Sequence, residues 1–204
     1  MGRTGLVWGV VLAAGASTRM GFNKLQASLD GVPIVRRVVR ACTSSSIEGT
    51  VVVLGCRPDQ LVPFIRDEDV DSVVNEDWER GMLSTFQRGV RHVLSHIPEP
   101  GAVLLVLGDV PLIDAACIDA LVAAWHKSDA LLAVPVHEGR RGHPLLVDGS
   151  LLPEVMELGI KESMRDLVGR HADDLLEVEL PQSTLVDVDY PEDLEMAGRL
   201  ARSE

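Results

Sequence analysis

A chain of 204 residues with 46% hydrophobic content is long enough for one domain with a full core, and too apolar to be disordered. Its formal net charge of −12 argues against a nucleic-acid surface, although local cations and a divalent metal can still attract a polyphosphate. Cys42, Cys56 and Cys117 form no Cys-x-x-Cys, which speaks against a disulfide framework or zinc site and for a reducing cytoplasm. The N-terminal stretch lacks a secretory pattern, and no apolar run approaches the roughly 18 residues of a membrane span.

The apolar run Leu6–Leu12 predicts a buried strand. Val35–Thr43 predicts a helix with Pro33 near its start, followed by a second buried strand over Gly49–Gly55. A short helix over Asp59–Arg66 and a short strand over Ser72–Asn75 come next, then a helix over Gly81–His96. Ala102–Leu107 is wholly apolar and predicts a fourth strand, after which Asp114 suits the N-cap of a helix running to about Lys127. Leu131–Val136 and Pro144–Val147 read as strands, and Leu151–Leu158 and Ser163–His171 as helices. Leu175–Leu180 and Thr184–Val188 read as strands, and Pro191–Ala201 as a closing helix. Val/Leu-rich runs alternating with helices predict a single α/β domain with a mostly parallel sheet covered on both faces. Ligands then bind beyond the carboxyl ends of the strands.

The suggestive residues fall at those ends. After the first strand comes Leu12-Ala-Ala-Gly-Ala-Ser-Thr-Arg-Met-Gly-Phe-Asn-Lys24. Glycine-rich turns leaving a strand let backbone N–H groups approach phosphates, and Arg19 and Lys24 add charge. The spacing fits neither a P-loop nor the dinucleotide fingerprint. Asp109 follows the apolar fourth strand in Gly108-Asp-Val-Pro111, and Asp189 lies in Val186-Asp-Val-Asp-Tyr-Pro-Glu-Asp193. Two carboxylates at strand ends make a hard-oxygen site suited to Mg²⁺ beside phosphates. A plain turn at Asp109 and a helix cap at Asp189 are the structural alternatives. Asp187 and Asp193 read as structural acids. Two further clusters are Asn75-Glu-Asp-Trp-Glu-Arg-Gly-Met-Leu-Ser84 and Gly139-Arg-Arg-Gly-His-Pro144. Arg80 and Ser84 share a face if the helix begins near Arg80. Packing for Trp78, a strand-end turn for Asn75 and a hairpin turn for His143 remain open readings.

The pattern Leu-Ala-Ala-Gly-x-x-x-Arg-Met-Gly-x-x-Lys resembles the signature loop of nucleotidyltransferases that move NMP from an NTP onto a phosphate. Within them it is most similar to the molybdenum-cofactor branch, the molybdopterin guanylyl- and cytidylyltransferases. The resemblance implies a three-layer Rossmann-like fold and Mg²⁺ held by Asp109 and Asp189. It implies catalysis by Arg19, Lys24 and Asp109, and nucleotide binding by Leu12, Ala13, Ala14, Gly15, Arg19, Gly21, Lys24, Asn75 and Gly108. It implies acceptor binding by Trp78, Gly81, Ser84, Gly142 and His143. Tyr190 stands where the family usually has Thr, and Ile160–Leu167 departs from its Gly-Asp-x-Gly pattern. Cytidylyl-transferring members tend to carry Leu-Ala-Ala-Gly, as here, and guanylyl-transferring members Leu-Ala-Gly-Gly. A Cβ at Ala14 narrows the space over the base and favours a pyrimidine. The implied partners are CTP (or GTP), molybdenum-bound molybdopterin, and a molybdoenzyme or its chaperone. Transfer to a sugar phosphate and a non-catalytic cofactor carrier stand as alternatives.

Overall fold

The computed structural model describes residues 5–17 and 23–201. Arg19 and Gly21, expected at the nucleotide site, lie outside the described residues. The elements run β1 (Val7–Ala13), β2 (Ser28–Leu29), β3 (Val32–Pro33), α1 (Ile34–Thr43), β4 (Gly49–Leu54), α2 (Val62–Ile65), β5 (Asp71–Val74) and α3 (Met82–His96). Then follow β6 (Ala102–Leu107), α4 (Ala115–His126), β7 (Leu132–His137), β8 (Arg140–Arg141), β9 (Leu145–Asp148), α5 (Leu152–Glu157), α6 (Met164–Arg170), β10 (Leu175–Glu179) and α7 (Pro191–Leu200). No helix among the described residues is long and apolar enough to cross a membrane.

The sheet order is β10-β7-β9-β6-β1-β4-β5, with β8 paired to β7. β1 is parallel to β4 on one side and to β6 on the other, with Leu12 in register with Val53 and Leu107. β9 alone among the long strands runs antiparallel, wedged between β6 and β7. The chain winds outward from β1 to β4 and β5, then crosses to β6 on the opposite flank. That reversal creates a switch point at the carboxyl ends of β1 and β6, where open α/β sheets bind ligands.

Period-two alternation sorts β1 between two cores. Val7, Val11 and Ala13 join the cluster under α1 and α4, including Val38, Leu121 and Trp125. Val10 joins Phe86, Val90 and Val93 of α3 on the other face, with Leu152 and Leu167 from α5 and α6. The sheet is thus the middle of three layers, as expected. Asp114 caps α4 by accepting from Cys117 N–H at 2.8 Å, also as expected.

Three expectations need correction. Thr184–Val188 is no strand: Gln182–Leu185 forms a 3-10 turn, and the chain then runs extended without a ladder. Asp187 and Asp189 therefore follow a buried irregular segment, not the last strand. The helix expected over Asp59–Arg66 splits into a 3-10 turn, Pro58–Gln60, and α2. The helix expected from near Arg80 begins at Met82, because Trp78–Arg80 is a separate 3-10 turn ended by Gly81 at φ +96°.

Candidate active site

Lys24 opens a 3-10 turn, Lys24–Gln26, whose N-cap Asn23 accepts from Leu25 N–H at 3.2 Å. Leu25 is buried in the core and anchors the turn. Ser17 Oγ donates to the same Asn23 oxygen at 3.4 Å, tying the loop after β1 to the lysine turn. The lysine's position is thereby set by one cap and one apolar anchor.

Asp109 leaves β6 through Gly108, whose N–H donates to Leu12 carbonyl at 3.0 Å. A Cβ on Gly108 would stand 2.6 Å from that oxygen, so only glycine permits this approach of the two loops. The carbonyl of Asp109 accepts from Val188 N–H at 2.9 Å. This bond draws the segment carrying Asp189 onto the turn carrying Asp109. Val186 and Val188 are buried and hold that segment down. Asp193 then accepts from the backbone N–H groups of Asp189 and Tyr190, at 2.9 and 2.7 Å. It fixes Asp189 and caps α7, which bears out its structural reading.

These anchors bring Lys24 Nζ to 2.5 Å from Asp109 Oδ2 and 2.6 Å from Asp189 Oδ1. Burial alone would lower the lysine pKa, but Asp109 and then Asp189 outweigh it and hold the ammonium above its ordinary range. Asp109 Oδ1 is buried and has no hydrogen-bond partner among the described residues. An orphaned buried carboxylate oxygen beside a second carboxylate is a donor set that fits a hard divalent cation.

The three side chains border a cleft of about 400 Å³, with Leu12, Gly15, Ser17, Leu25, Met82, Leu107 and Asp187 on its walls. A connected hollow is lined by Ala14, Trp78, Gly81 and Thr85. Gly55, after β4, packs here so closely that a Cβ would meet those of Ala14 and Trp78 at 2.6 Å. Ala14 is itself buried, and its carbonyl accepts from Cys56 N–H at 3.0 Å. Ala13 lies inside β1, buried in the core behind the loop.

Asn75 is buried and spends its side chain on a brace. Its Nδ2 donates to Ser84 Oγ and Thr85 Oγ1, both at 3.1 Å, and its Oδ1 accepts from Asp77 N–H. It clamps the end of β5 to the start of α3. Ser84 borders a smaller neighbouring hollow with Arg80, Gln87, Gly159 and Ile160. Gly142 N–H donates to Pro135 carbonyl, and His143 N–H to Thr184 carbonyl at 3.0 Å, placing this loop beside the segment that leads to Asp189. His143 Nδ1 is buried without a partner among the described residues. Burial pushes its pKa down, against the raising pull of Asp109 and Asp187.

Sequence reasoning did not single out Met82 and Thr85 as wall residues. Met82 and Thr85 stand at the start of a helix, and the Met82 side of Gly81 was the only hint. Asp187, expected on the same rim as Asp189 but read as a structural acid, also lines the cleft. Cys42 and Cys117 are buried, with thiols pushed up to about 12 and about 11, so neither is a thiolate nucleophile.

A lysine and two carboxylates at the switch point of a doubly covered, mostly parallel sheet define a ligand-binding site of the α/β class. Comparison with known proteins narrows the class: residues 9–175 match the MobA-like NTP transferase domain, and the chain belongs to that family of nucleotidyltransferases. It is 32% identical over 128 residues to a probable molybdenum cofactor guanylyltransferase of Thermococcus sibiricus, covering 62% of this chain and 60% of that protein. The chain thus spans about three fifths of that relative's length. It is 30% identical over 170 residues to the nicotine blue oxidoreductase of Paenarthrobacter nicotinovorans, covering 76% of this chain and 78% of that one. The crystal structure of Rv0371c from Mycobacterium tuberculosis superposes with a TM-score of 0.83 at 23% identity, over 97% of this chain and 100% of that one, which shows the shared fold.

Proposed function

We propose that the protein transfers CMP from CTP to the terminal phosphate of molybdenum-bound molybdopterin, releasing pyrophosphate, with Mg²⁺ held by Asp109 and Asp189. The observation that carries this reading is the convergence of Lys24, Asp109 and Asp189 beside the loop after β1. When bound, the cation supplies charge neutralisation for the triphosphate and the leaving pyrophosphate.

The chain's own residues do the remaining work. A phosphate oxygen of the acceptor forms the new bond to the α-phosphorus as the bond to pyrophosphate breaks, so no protein nucleophile is required. Lys24 offers a point charge to phosphate oxygens, and the backbone of Ala14–Ser17 offers N–H groups. Gly108 and Val188 keep Asp109 and Asp189 at fixed separation, so the pair itself needs no rearrangement once the Lys24 ammonium has turned from it to the phosphates. Trp78, Gly81 and Ser84 border the hollows from which an acceptor would enter, and Gly142 and His143 are assigned to it through their loop, which is bonded to the segment leading to Asp189. Arg19 and Gly21 complete the phosphate loop in this reading. Ala14 sets base preference in this reading, because it lines the hollow shared with Trp78.

The test is pyrophosphate release with each NTP in turn, Mg²⁺ and molybdenum-bound molybdopterin. CTP should turn over fastest. Faster turnover of GTP overturns the base assignment. Turnover with sugar phosphates alone assigns a different acceptor, and tight cofactor binding without turnover makes the protein a carrier.

A further inference from the structure

The end of α3 remote from the cleft carries a second constellation. β5 is the edge strand of the sheet and opens at Asp71, while α3 closes at His96. This cluster therefore lies at the amino ends of the strands, opposite the nucleotide rim. His92 and His96 are four residues apart and share one helix face. Their ring centroids are 4.3 Å apart, and the His96 ring stacks on Trp8 at 6.3 Å. His92 Nε2 lies 2.8 Å from Asp71 Oδ2. One donor atom from each of Asp71, His92 and His96 falls within 4.8 Å of the other two.

We propose that Asp71, His92 and His96 form a surface site for a borderline divalent transition metal such as Zn²⁺. Two imidazoles and one carboxylate select such a metal over Mg²⁺, which prefers oxygen alone. The tautomer is prepared: His96 Nδ1 lies 3.0 Å from the His92 carbonyl, so an Nδ1–H donor there leaves Nε2 as the ligand. Metal-bound histidines characteristically donate their other N–H to a backbone carbonyl in this way. Tetrahedral ligation at about 2.0–2.2 Å requires donors roughly 3.3 Å apart, so no separation within the cluster must close by more than about 1.5 Å. Asp71 and His96 are exposed, so their side chains can make that adjustment. The carboxyl end of α3 also favours a cation, because the last carbonyls point there. A bound metal would pin the end of α3 to the edge strand.

The test is calorimetric titration of the metal-stripped protein with Zn²⁺ in excess Mg²⁺, for the wild type, His96→Ala, Asp71→Asn and Asp109→Asn. The expected result is one Zn²⁺ per chain, with affinity reduced at least tenfold in His96→Ala and Asp71→Asn and unchanged in Asp109→Asn. Cu²⁺ titration should quench Trp8 emission, with the effect lost in Trp8→Phe and in His96→Ala. Equal Zn²⁺ affinity in wild type, His96→Ala and Asp71→Asn overturns the proposal, as does loss of binding in Asp109→Asn alone.

Discussion

Removing the ammonium of Lys24 separates its electrostatic role from its chemical one. Its Nζ sits between Asp109 Oδ2 at 2.5 Å and Asp189 Oδ1 at 2.6 Å, so those two oxygens are no more than about 5 Å apart. In Lys24→Ala they face each other without the cation. Their mutual repulsion, roughly 3 kcal/mol for two unit charges at about 5 Å and an effective dielectric near 20, is then no longer offset by the two attractions to the ammonium. The carboxylates are 21% and 34% exposed, and solvent screening reduces this to about 1 kcal/mol. For a chain of this size that lowers Tm by roughly 2–4 °C. A divalent cation at about ten times its Kd returns roughly 1.4 kcal/mol, so Mg²⁺ should raise the variant's Tm. It should raise it more than the wild type's, where the ammonium must first be displaced. Turnover should fall about 10²–10³-fold even at saturating Mg²⁺, because the phosphate contact proposed for the lysine is also gone. Thermal melts across a Mg²⁺ series, paired with pyrophosphate release, read both quantities. A variant that melts with the wild type and responds to Mg²⁺ no more strongly refutes the electrostatic reasoning.

Asp109→Asn should cut pyrophosphate release about 10²–10³-fold with a melting point within a few degrees of wild type, since Asp189 still pairs Lys24; near-normal turnover removes Asp109 from the site. Gly108→Ala drives a Cβ to 2.6 Å from the Leu12 carbonyl and should cost about 1–3 kcal/mol in denaturant melts; an unchanged midpoint means the two loops can part freely. Ala14→Gly should shift the CTP-to-GTP ratio of kcat/KM toward GTP by about 10-fold or more, and an unmoved ratio frees Ala14 of base selection. Glu68 offers a pH test: burial raises its pKa, but hydrogen bonds from Arg36 and Arg40 win and hold it below the usual 4.5. A depressed carboxylate stabilises above its unfolded pKa, and that stability is lost as pH falls through the folded value. Arg36→Met should therefore cost about 1 kcal/mol at pH 7, and the difference should vanish as pH drops below 4.5; a gap that persists in acid points to lost packing instead.

Most of the fold was legible because its long elements obey one period each. β1, β4 and β6 are unbroken apolar runs, and α3 and α4 have their boundaries marked by Gly81 and Asp114. Short pieces were not. The hairpin of β2 and β3 has two residues per strand around Asp30-Gly31, too few for any periodicity to register. The direction of β9 is invisible locally, because an antiparallel strand between two neighbours is as apolar as a parallel one. Thr184–Val188 misled because Val186 and Val188 alternate with Asp187 and Asp189, the pattern of a half-buried strand. Their burial is real, but it comes from packing against the core and against Leu29, Leu112 and Ala197, without a ladder partner. At the site, residue types at strand ends pointed to Lys24, Asp109 and Asp189. What spacing could not supply was the burial of Asn75, whose hydrogen bonds are all internal to the described structure.

The backbone bond from Val188 to the Asp109 carbonyl has a consequence for the order in which the site can be assembled. Lys24 and Asp109 are both in place once the sheet has formed, but Asp189 arrives 80 residues after Asp109, beyond the family-matched stretch that ends at residue 175. Every strand among the described residues therefore precedes the segment that completes the carboxylate pair. Until that segment docks, the chain can hold a finished sheet with half of the carboxylate pair.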